Sequence, residues 1–295
     1  TLGNAVDFGD FTLARTAAQC GSSGTRGLVA GGSYPGRPNT GETQIDYITF
    51  QSGGGANDFG DMTLQGTHKG AGISNGIRGV FCGGYDGNSP YHMFATCQFV
   101  TIATLGNSSF FGDLTQPAQT DSSVSDRTRG CVTGMEIGNN PSTTNINNIE
   151  FLTTATLGNA QDFGDLTVAR SYFAAGQTSS STRGLNSGGF ASPGSSVNVI
   201  DFITIANTAN ATDFGDTINV RPSGGLSNQT RSVHAGTTSP FSNVIDFVTI
   251  ATTGDAHFFG DLVEPQALFA GTSSSTRGVF AGGRNNTPSE NTLSN

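Results

Sequence analysis

One pattern of apolar and polar positions recurs along this chain. In Ile45-Asp46-Tyr47-Ile48-Thr49-Phe50 and in Ile245-Asp246-Phe247-Val248-Thr249-Ile250 the residues alternate with period two, yet apolar side chains fall on both faces. Alternation marks an extended strand, and apolar residues on both faces mark a strand covered from both sides. Further copies centre on Phe99, Phe151 and Phe202. Shorter stretches surround each copy. The pattern predicts a first strand such as Tyr172-Phe173-Ala174-Ala175 and a second such as Gly278-Val279-Phe280-Ala281. The alternating strand comes third, and a fourth runs from Phe-Gly-Asp into Leu-Thr-Val. Clusters of Gly, Ser, Asn and Pro separate them, as turns require.

Two markers fix the period. Phe-Gly-Asp begins at Phe8, Phe59, Phe111, Phe163, Phe214 and Phe259. An Arg, usually within Thr-Arg-Gly, recurs at Arg26, Arg78, Arg129, Arg183, Arg231 and Arg277. Five residues after each Arg comes a Gly, doubled in four copies, as at Gly31-Gly32 and Gly83-Gly84. Four short strands in about 50 residues, repeated about six times, is the pattern of a β-propeller. Residues 1–295 therefore read as one all-β domain of about six repeats of 45–54 residues.

The Gly pair ending the second strand, the aromatic of the third, the aromatic opening the fourth and spacings such as Phe247 to Phe259 resemble the kelch family. The resemblance covers the whole chain and implies a six-bladed kelch-like β-propeller with four-stranded blades. It departs where kelch repeats carry Trp and this chain has Phe. The Phe-Gly-Asp variant, with stretches such as Ile-Ala-Thr-Leu-Gly-Asn-Ala, also resembles repetitive virion proteins, tail and structural, of large marine phages. The chain ends fall inside one repeat, so the last blade is expected to draw strands from both ends, which removes exposed sheet edges. Only five good copies of the third strand exist, and by register the sixth falls near Leu293-Ser294-Asn295. Either Asn291 to Asn295 forms a short substitute or residues beyond the given sequence supply it. The second reading is favoured, with continuation into a longer protein as its corollary; separately, the chain does not begin with Met and so reads as a fragment, a processed product or an incompletely known sequence.

Composition narrows the function. The chain has 43 Gly, no Trp, 12% charged residues and a net charge of −9, and Lys69 is the one Lys. Nucleic-acid binding needs clustered Lys and Arg, and none is present. An acidic surface disfavours anionic membranes, and no apolar run reaches the 18 or more residues of a membrane-spanning helix. Cys20, Cys82, Cys97 and Cys131 lack CxxC spacing and read as separate thiols rather than a zinc site or a disulfide framework.

The six recurring Arg are nearly half of the 13 basic residues. A guanidinium fork suits a carboxylate, so each Arg is expected to clasp an Asp of the repeat: Asp10, Asp61, Asp113, Asp165, Asp216 or Asp261. The Phe-Gly-Asp glycines and the Gly pairs are expected to supply positive φ or close packing, and the Phe to fill space between blades. The residue before that Phe is Asp7, Asp58, Asp162 or Asp213 in four copies and Phe110 or Phe258 in two, which marks an exposed position.

Other motifs carry no chemistry. Asp-Phe-Gly recurs with the sheet and lacks every other kinase element. Gly53-Gly54-Gly55 precedes no Lys-Ser/Thr and no helix, so it is no phosphate cradle. Galactose oxidase, a kelch-type copper enzyme, needs His and Tyr converging on one face. His68, His92, His234 and His257 occupy different phases of the repeat and read as exposed loop or strand residues, with His92 beside Tyr91 the one to watch. No cofactor is expected. The sequon matches at Asn107, Asn210, Asn228 and Asn285 are of the kind that chance supplies in an Asn-rich chain.

Variable loops on a fixed framework are where binding is expected. The longest follow the Gly pairs, at Ser33 to Thr43, Tyr85 to Thr96, Gly138 to Asn147 and Phe190 to Asn198. They offer Tyr34, Arg37, Tyr85, Tyr91, His92 and Phe94, types favoured in interfaces and sugar contacts. Three readings follow. The first is a non-enzymatic virion component (tail fibre, baseplate or surface decoration) contacting other virion or surface proteins, as an oligomer or as part of a longer chain. The second is a secreted or cell-surface adhesion propeller binding glycans or protein. The third is a propeller enzyme, an oxidase or a glycan-cleaving one.

Overall fold

β-Branched and aromatic residues spaced by glycine turns fold as the pattern requires, into small antiparallel sheets. The computed structural model describes residues 9–281 without 14, 16, 34–40, 53, 65–68, 87–91, 140–141, 172–176, 192–193, 221, 239, 268–269 and 274–277. No helix occurs among the described residues. The first sheet is Gln19–Ser22, Arg26–Ala30, Gln44–Thr49 and Asn57–Asp61, paired in chain order. The second is Ala71–Ser74, Arg78–Cys82, Thr96–Thr101 and Ser109–Asp113. The third is Gln119–Ser125, Arg129–Asn139, Asn148–Thr153 and Gln161–Asp165. The fourth is Gln177–Ser179, Arg183–Ser187, Val199–Thr204 and Thr212–Asp216. The fifth is Gly224–Ser227, Arg231–Thr238, Phe241–Thr249 and His257–Asp261. Ala270–Ser273 and Gly278–Ala281 form a further pair.

Two expectations shift. The fourth strand ends at the Asp of Phe-Gly-Asp instead of continuing through Leu-Thr-Val. The expected strand at Tyr172 to Ala175 lies outside the described residues, and the first strand of that sheet is Gln177–Ser179. The third sheet is enlarged, because its second strand runs on past Gly134 and pairs with Ser142–Asn145.

The apolar core lies between sheets. Leu28, Ile45 and Phe59 of the first sheet pack with Phe81, Val100 and Ile102 around the second. Val80, Cys97 and Phe111 meet Val132, Met135 and Leu152 of the third. Val124, Cys131, Ile149 and Phe163 meet Ile203 and Ile205 of the fourth, and Leu185, Ile200 and Phe214 meet Val248 and Ile250 of the fifth. First strands of successive sheets touch in turn. Ser22 N donates to Ser74 Oγ at 3.2 Å, and Ser227 Oγ donates to Ser179 O at 3.1 Å. Cys82 and Cys97, expected as unrelated thiols, are cross-strand partners and both are buried, so burial first and the neighbouring thiol second push the Cys97 pKa up.

The outermost strand is an edge, and in the first four sheets that edge meets the loop between the third and fourth strands of the following sheet. Gly106 N donates to Phe59 O at 2.9 Å and Ser108 N to Asp61 O at 2.8 Å, while Asn107 Oδ1 accepts from Asp61 N at 2.9 Å. Gly158, Ala160 and Asn159 repeat the set on Phe111 and Asp113. Ala211 and Asn210 hold Asp165, and Gly254, Ala256 and Asp255 hold Phe214 and Asp216. Ala56 N reaches Asp10 O at 2.7 Å. Backbone comes so close that the Phe-Gly-Asp glycine has no room for a side chain. At Gly60, with φ +141°, a Cβ would stand 2.6 Å from Gly106 O.

Gly60→Ala is therefore expected to lower the melting temperature clearly, by about 2 kcal/mol or more of stability. Gly24→Ala, where a Cβ would meet nothing within 4 Å, is expected to leave it nearly unchanged. Paired thermal melts check the contrast.

Candidate functional site

The recurring Arg begins the second strand, which sets its side chain beside the aromatic of its own third strand. Guanidinium carbons stand 4.8 Å from the Tyr47 ring for Arg26, 5.0 Å from Phe99 for Arg78, and 4.6 Å from Phe151, Phe202 and Phe247 for Arg129, Arg183 and Arg231. Each of these rings meets the Phe of Phe-Gly-Asp edge to face, as in Phe99–Phe111 at 5.8 Å and Phe151–Phe163 at 6.0 Å. The Nη1 groups then cross to the following sheet. Arg26 donates to Ile102 O and Ala103 O at 3.0 Å, Arg78 to Ala155 O at 2.8 Å, Arg129 to Ile205 O at 3.3 Å and Arg183 to Ile250 O at 2.8 Å.

This corrects the expected Arg–Asp clasp. Among the described residues the ion pairs are Arg15–Asp46, Arg170–Asp201, His92–Asp86 and His234–Asp246, and none joins a recurring Arg to Asp10, Asp61, Asp113, Asp165, Asp216 or Asp261. The backbone of Asp10, Asp61, Asp113, Asp165 and Asp216 instead takes the covering loop at the sheet edge, and the Asp61 carboxylate accepts from Thr43 Oγ1 at 3.2 Å. Arg277 lies outside the described residues.

A clasp does exist, one strand further in, on a carboxylate in four sheets and on the Gln98 amide oxygen in one. The second residue of the alternating strand is Asp46, Gln98, Glu150, Asp201 or Asp246, and all five are buried. Each receives the chain leaving the preceding sheet. Thr12 Oγ1 donates to Asp46 Oδ1 at 2.6 Å, Leu64 N to Gln98 Oε1 at 3.0 Å, Thr115 N to Glu150 Oε2 at 2.9 Å, Thr167 Oγ1 to Asp201 Oδ1 at 2.5 Å, and Ile218 N to Asp246 Oδ2 at 2.8 Å. Arg15 and Arg170 neutralise their Asp at 2.7 and 2.9 Å. Glu150 accepts from the Thr115 amide and hydroxyl, and burial pushes its pKa up against the lowering effect of those bonds. Sequence reading missed this set, although the acid recurs at one phase of the alternating strand.

His234 is the other surprise. Expected to be exposed, it is buried opposite Asp246, with Nδ1 3.0 Å from Asp246 Oδ1. Its Nε2 lies 2.8 Å from Ser232 Oγ and 3.0 Å from Ser187 Oγ. Ser, His and Asp are the residue types of a hydrolytic triad, but all are buried, and no substrate carbonyl can approach either hydroxyl.

Several cavities among the described residues are open to solvent. One, of about 600 Å³, lies where the hairpins between first and second strands of five sheets converge. It is lined by Ser22, Ser74, Asp126, Arg127, Ser180 and Gln229, among others. Asx and Ser turns shape these hairpins: Asn75 Oδ1 accepts from the amides of Ile77 and Arg78, and Asp126 Oδ1 from those of Thr128 and Arg129. The lining is hydroxyl-rich and holds one Arg and one Asp. Another, about 320 Å³, lies near the loops that follow the Gly pairs, between His92, Met93, Gln116, Pro117, Ile137 and Gly138.

Of the candidate binding residues, Tyr34, Arg37 and Tyr91 lie outside the described residues. His92 is exposed and pairs with Asp86 at 3.1 Å. Tyr85 is buried, with the Lys69 ammonium 5.7 Å from its ring, which corrects its expected place on an open surface. Phe94 is half-buried and bridges Gly84 and Ala118 through its backbone. Among the described residues no group of three or more His, Cys, Asp or Glu is placed to hold a metal ion.

No protein-family model and no curated protein matches the chain. Solved structures do. The structure of YjhT, at 10% identity, has a TM-score of 0.72 and aligns over 97% of this chain and 94% of that one. A likeness of that extent shows a shared fold, and it fits the propeller reading of the repeat.

Arg183→Ala loses both a cation–π contact and a charged hydrogen bond, and is expected to cost about 2–3 kcal/mol in chemical denaturation, with Arg183→Lys recovering only part. Glu150→Gln has a built-in precedent in Gln98. Because burial raises the Glu150 pKa in the folded state, ionisation costs stability as pH rises through the carboxylate range and beyond. The stability of Glu150→Gln relative to the wild type should therefore rise from pH 4 to pH 7. Melts across that window check the sign.

Proposed function

We propose that residues 1–295 form a six-bladed kelch-like β-propeller, its last blade built from both chain ends, acting as a non-enzymatic structural and binding module of a virion. The suggested place is a tail fibre, baseplate or surface decoration, where it contacts other virion proteins or the host surface. One observation carries the reading: the polar residues that recur with the repeat are spent between sheets. The Arg guanidinium groups, the third-strand acids and the loop Asn side chains all hold a neighbouring sheet. That commitment suits a rigid ring better than a reaction centre. The hydroxyl- and amide-rich surface, the single Lys and the resemblance of the repeats to phage virion proteins supply the setting. An extracellular or particle location and possible glycan partners follow from the same reading.

Peptide mass spectrometry of purified particles from the source tests it. Peptides of this chain are expected in the particle fraction. Their absence there, with the protein found free or on cells, would remove the virion role and leave an adhesion propeller, which a glycan-binding screen would then support.

A further inference from the structure

Two thiols face each other inside the second sheet. Arg78–Cys82 runs antiparallel to Thr96–Thr101, and the register sets Cys82 opposite Cys97. Two backbone bonds fix which kind of pair this is. Gly83 N donates to Thr96 O at 3.1 Å, and Ile102 N donates to Ile77 O at 2.8 Å. Bonded and non-bonded pairs alternate along an antiparallel ladder, so Cys82 and Cys97 fall at a non-bonded position, where Cα atoms stand about 4.5 Å apart and side chains lie closest. A disulfide spans Cα separations of about 4.4–6.8 Å, so the pair can close without moving its strands.

The repeat sets this pair apart. At the same place in the first, fourth and fifth sheets a small residue faces Ile: Ala30 with Ile45, Ser187 with Ile200 and Ala235 with Ile245. The second sheet replaces both members with Cys. The remaining cysteines face other residues: Cys20 lies opposite Val29, and Cys131 opposite Val124 and Phe151.

We propose that Cys82 and Cys97 are a disulfide site, joined across the strands in an oxidising setting so as to fix the neck of the loop from Tyr85 to Thr96. Beyond Gly83 and Thr96 that loop narrows through the Tyr85–Met93 bridge to Asp86 N, which donates to His92 O at 3.2 Å. His92, a candidate contact residue, is therefore carried directly on the clamped neck. A small disulfide such as oxidised glutathione supplies the oxidant. One protein thiolate attacks it and expels a small thiolate. The second protein thiolate then attacks the protein sulfur of the mixed disulfide and expels the other. Two S–H bonds are lost and one S–S bond is made, and two electrons and two protons leave as two small thiols. Burial pushes the Cys97 pKa up, so exchange is slow in the folded protein and runs while the sheet forms. The site rests on the register of one sheet and not on a role in a particle, so its test and the particle test fail separately.

Refolding of the full chain in mixed reduced and oxidised glutathione, then acid quench, alkylation in denaturant and tryptic mass mapping, tests it. Cleavage after Arg78 and Arg127 leaves Cys82 and Cys97 in one peptide with no other Cys. That peptide should take up no alkyl group and weigh about 2 Da less than its reduced form before alkylation. The peptides of Cys20 and Cys131 should be alkylated. Alkylation of both Cys82 and Cys97, or their linkage to glutathione, Cys20 or Cys131, overturns the proposal. The wild type should also melt several degrees lower after reduction. Cys82→Ala with Cys97→Ile restores the pair of the first sheet and should melt alike with and without reductant. A wild type that ignores reductant, or a double variant that still responds to it, overturns the proposal as well.

Discussion

A strand at the margin of a sheet exposes a row of unpaired N–H and C=O groups, and in each of the five full sheets among the described residues one margin is the Phe-Gly-Asp strand. Everything else in the repeat is arranged around covering it. The cover is a loop of the following sheet, so each sheet finishes the one before it. Backbone-to-backbone contact of this kind tolerates no Cβ, which is why the middle residue of the tripeptide is Gly. The Asn or Asp of the covering loop takes the remaining amide. Stability is thereby moved from within sheets to the joints between them.

The same direction governs the other recurring side chains. The Arg lies over a ring of its own sheet and donates to carbonyls of the next, and the third-strand acid receives the chain arriving from the sheet before. With the recurring Arg and third-strand acids spent inside the joints, the charge left on the surface is largely acidic, as at Asp58, Asp61, Asp162, Asp213 and Asp261. The large polar cavity where five hairpins meet follows from the same arrangement: small first-strand residues bring the sheets close, and their Ser side chains bond across the gap. A cavity with this lining offers many hydrogen bonds and little apolar surface, which suits bound water or a polar surface group better than a buried apolar ligand.

The strands and their order were legible because period-two alternation and turn glycines are local signals. The burial of Phe59, Phe111, Phe163 and Phe214, though not of Phe259, the exposed residue before them and the positive-φ glycines followed from the same repeat. The partners of charged groups were not legible. Arg and Asp recur together, and sequence offers no way to see that the guanidinium faces carbonyls at the end of a strand some 76 residues away, as for Arg26 and Ile102. The acid of Ile-Asp-Phe looked like the polar half of an alternation, yet a joint buries it and turns it into an anchor. His234 was hidden for a similar reason. Its burial comes from Ser187 of the neighbouring sheet, and only its position opposite Asp246 could have suggested a pair. Binding residues were the least legible. Loop composition identified Tyr85 as a surface aromatic, whereas its place beside the Gly pair turns it inward, onto Lys69.

The central claim is that the joints, and not the single sheets, hold the protein together. Calorimetric unfolding tests it most directly. If each sheet depends on the next, the chain must unfold as one unit, and the van't Hoff and calorimetric enthalpies should agree to within about a tenth. A van't Hoff enthalpy several-fold smaller than the calorimetric one would mean that sheets melt independently, and would contradict the account.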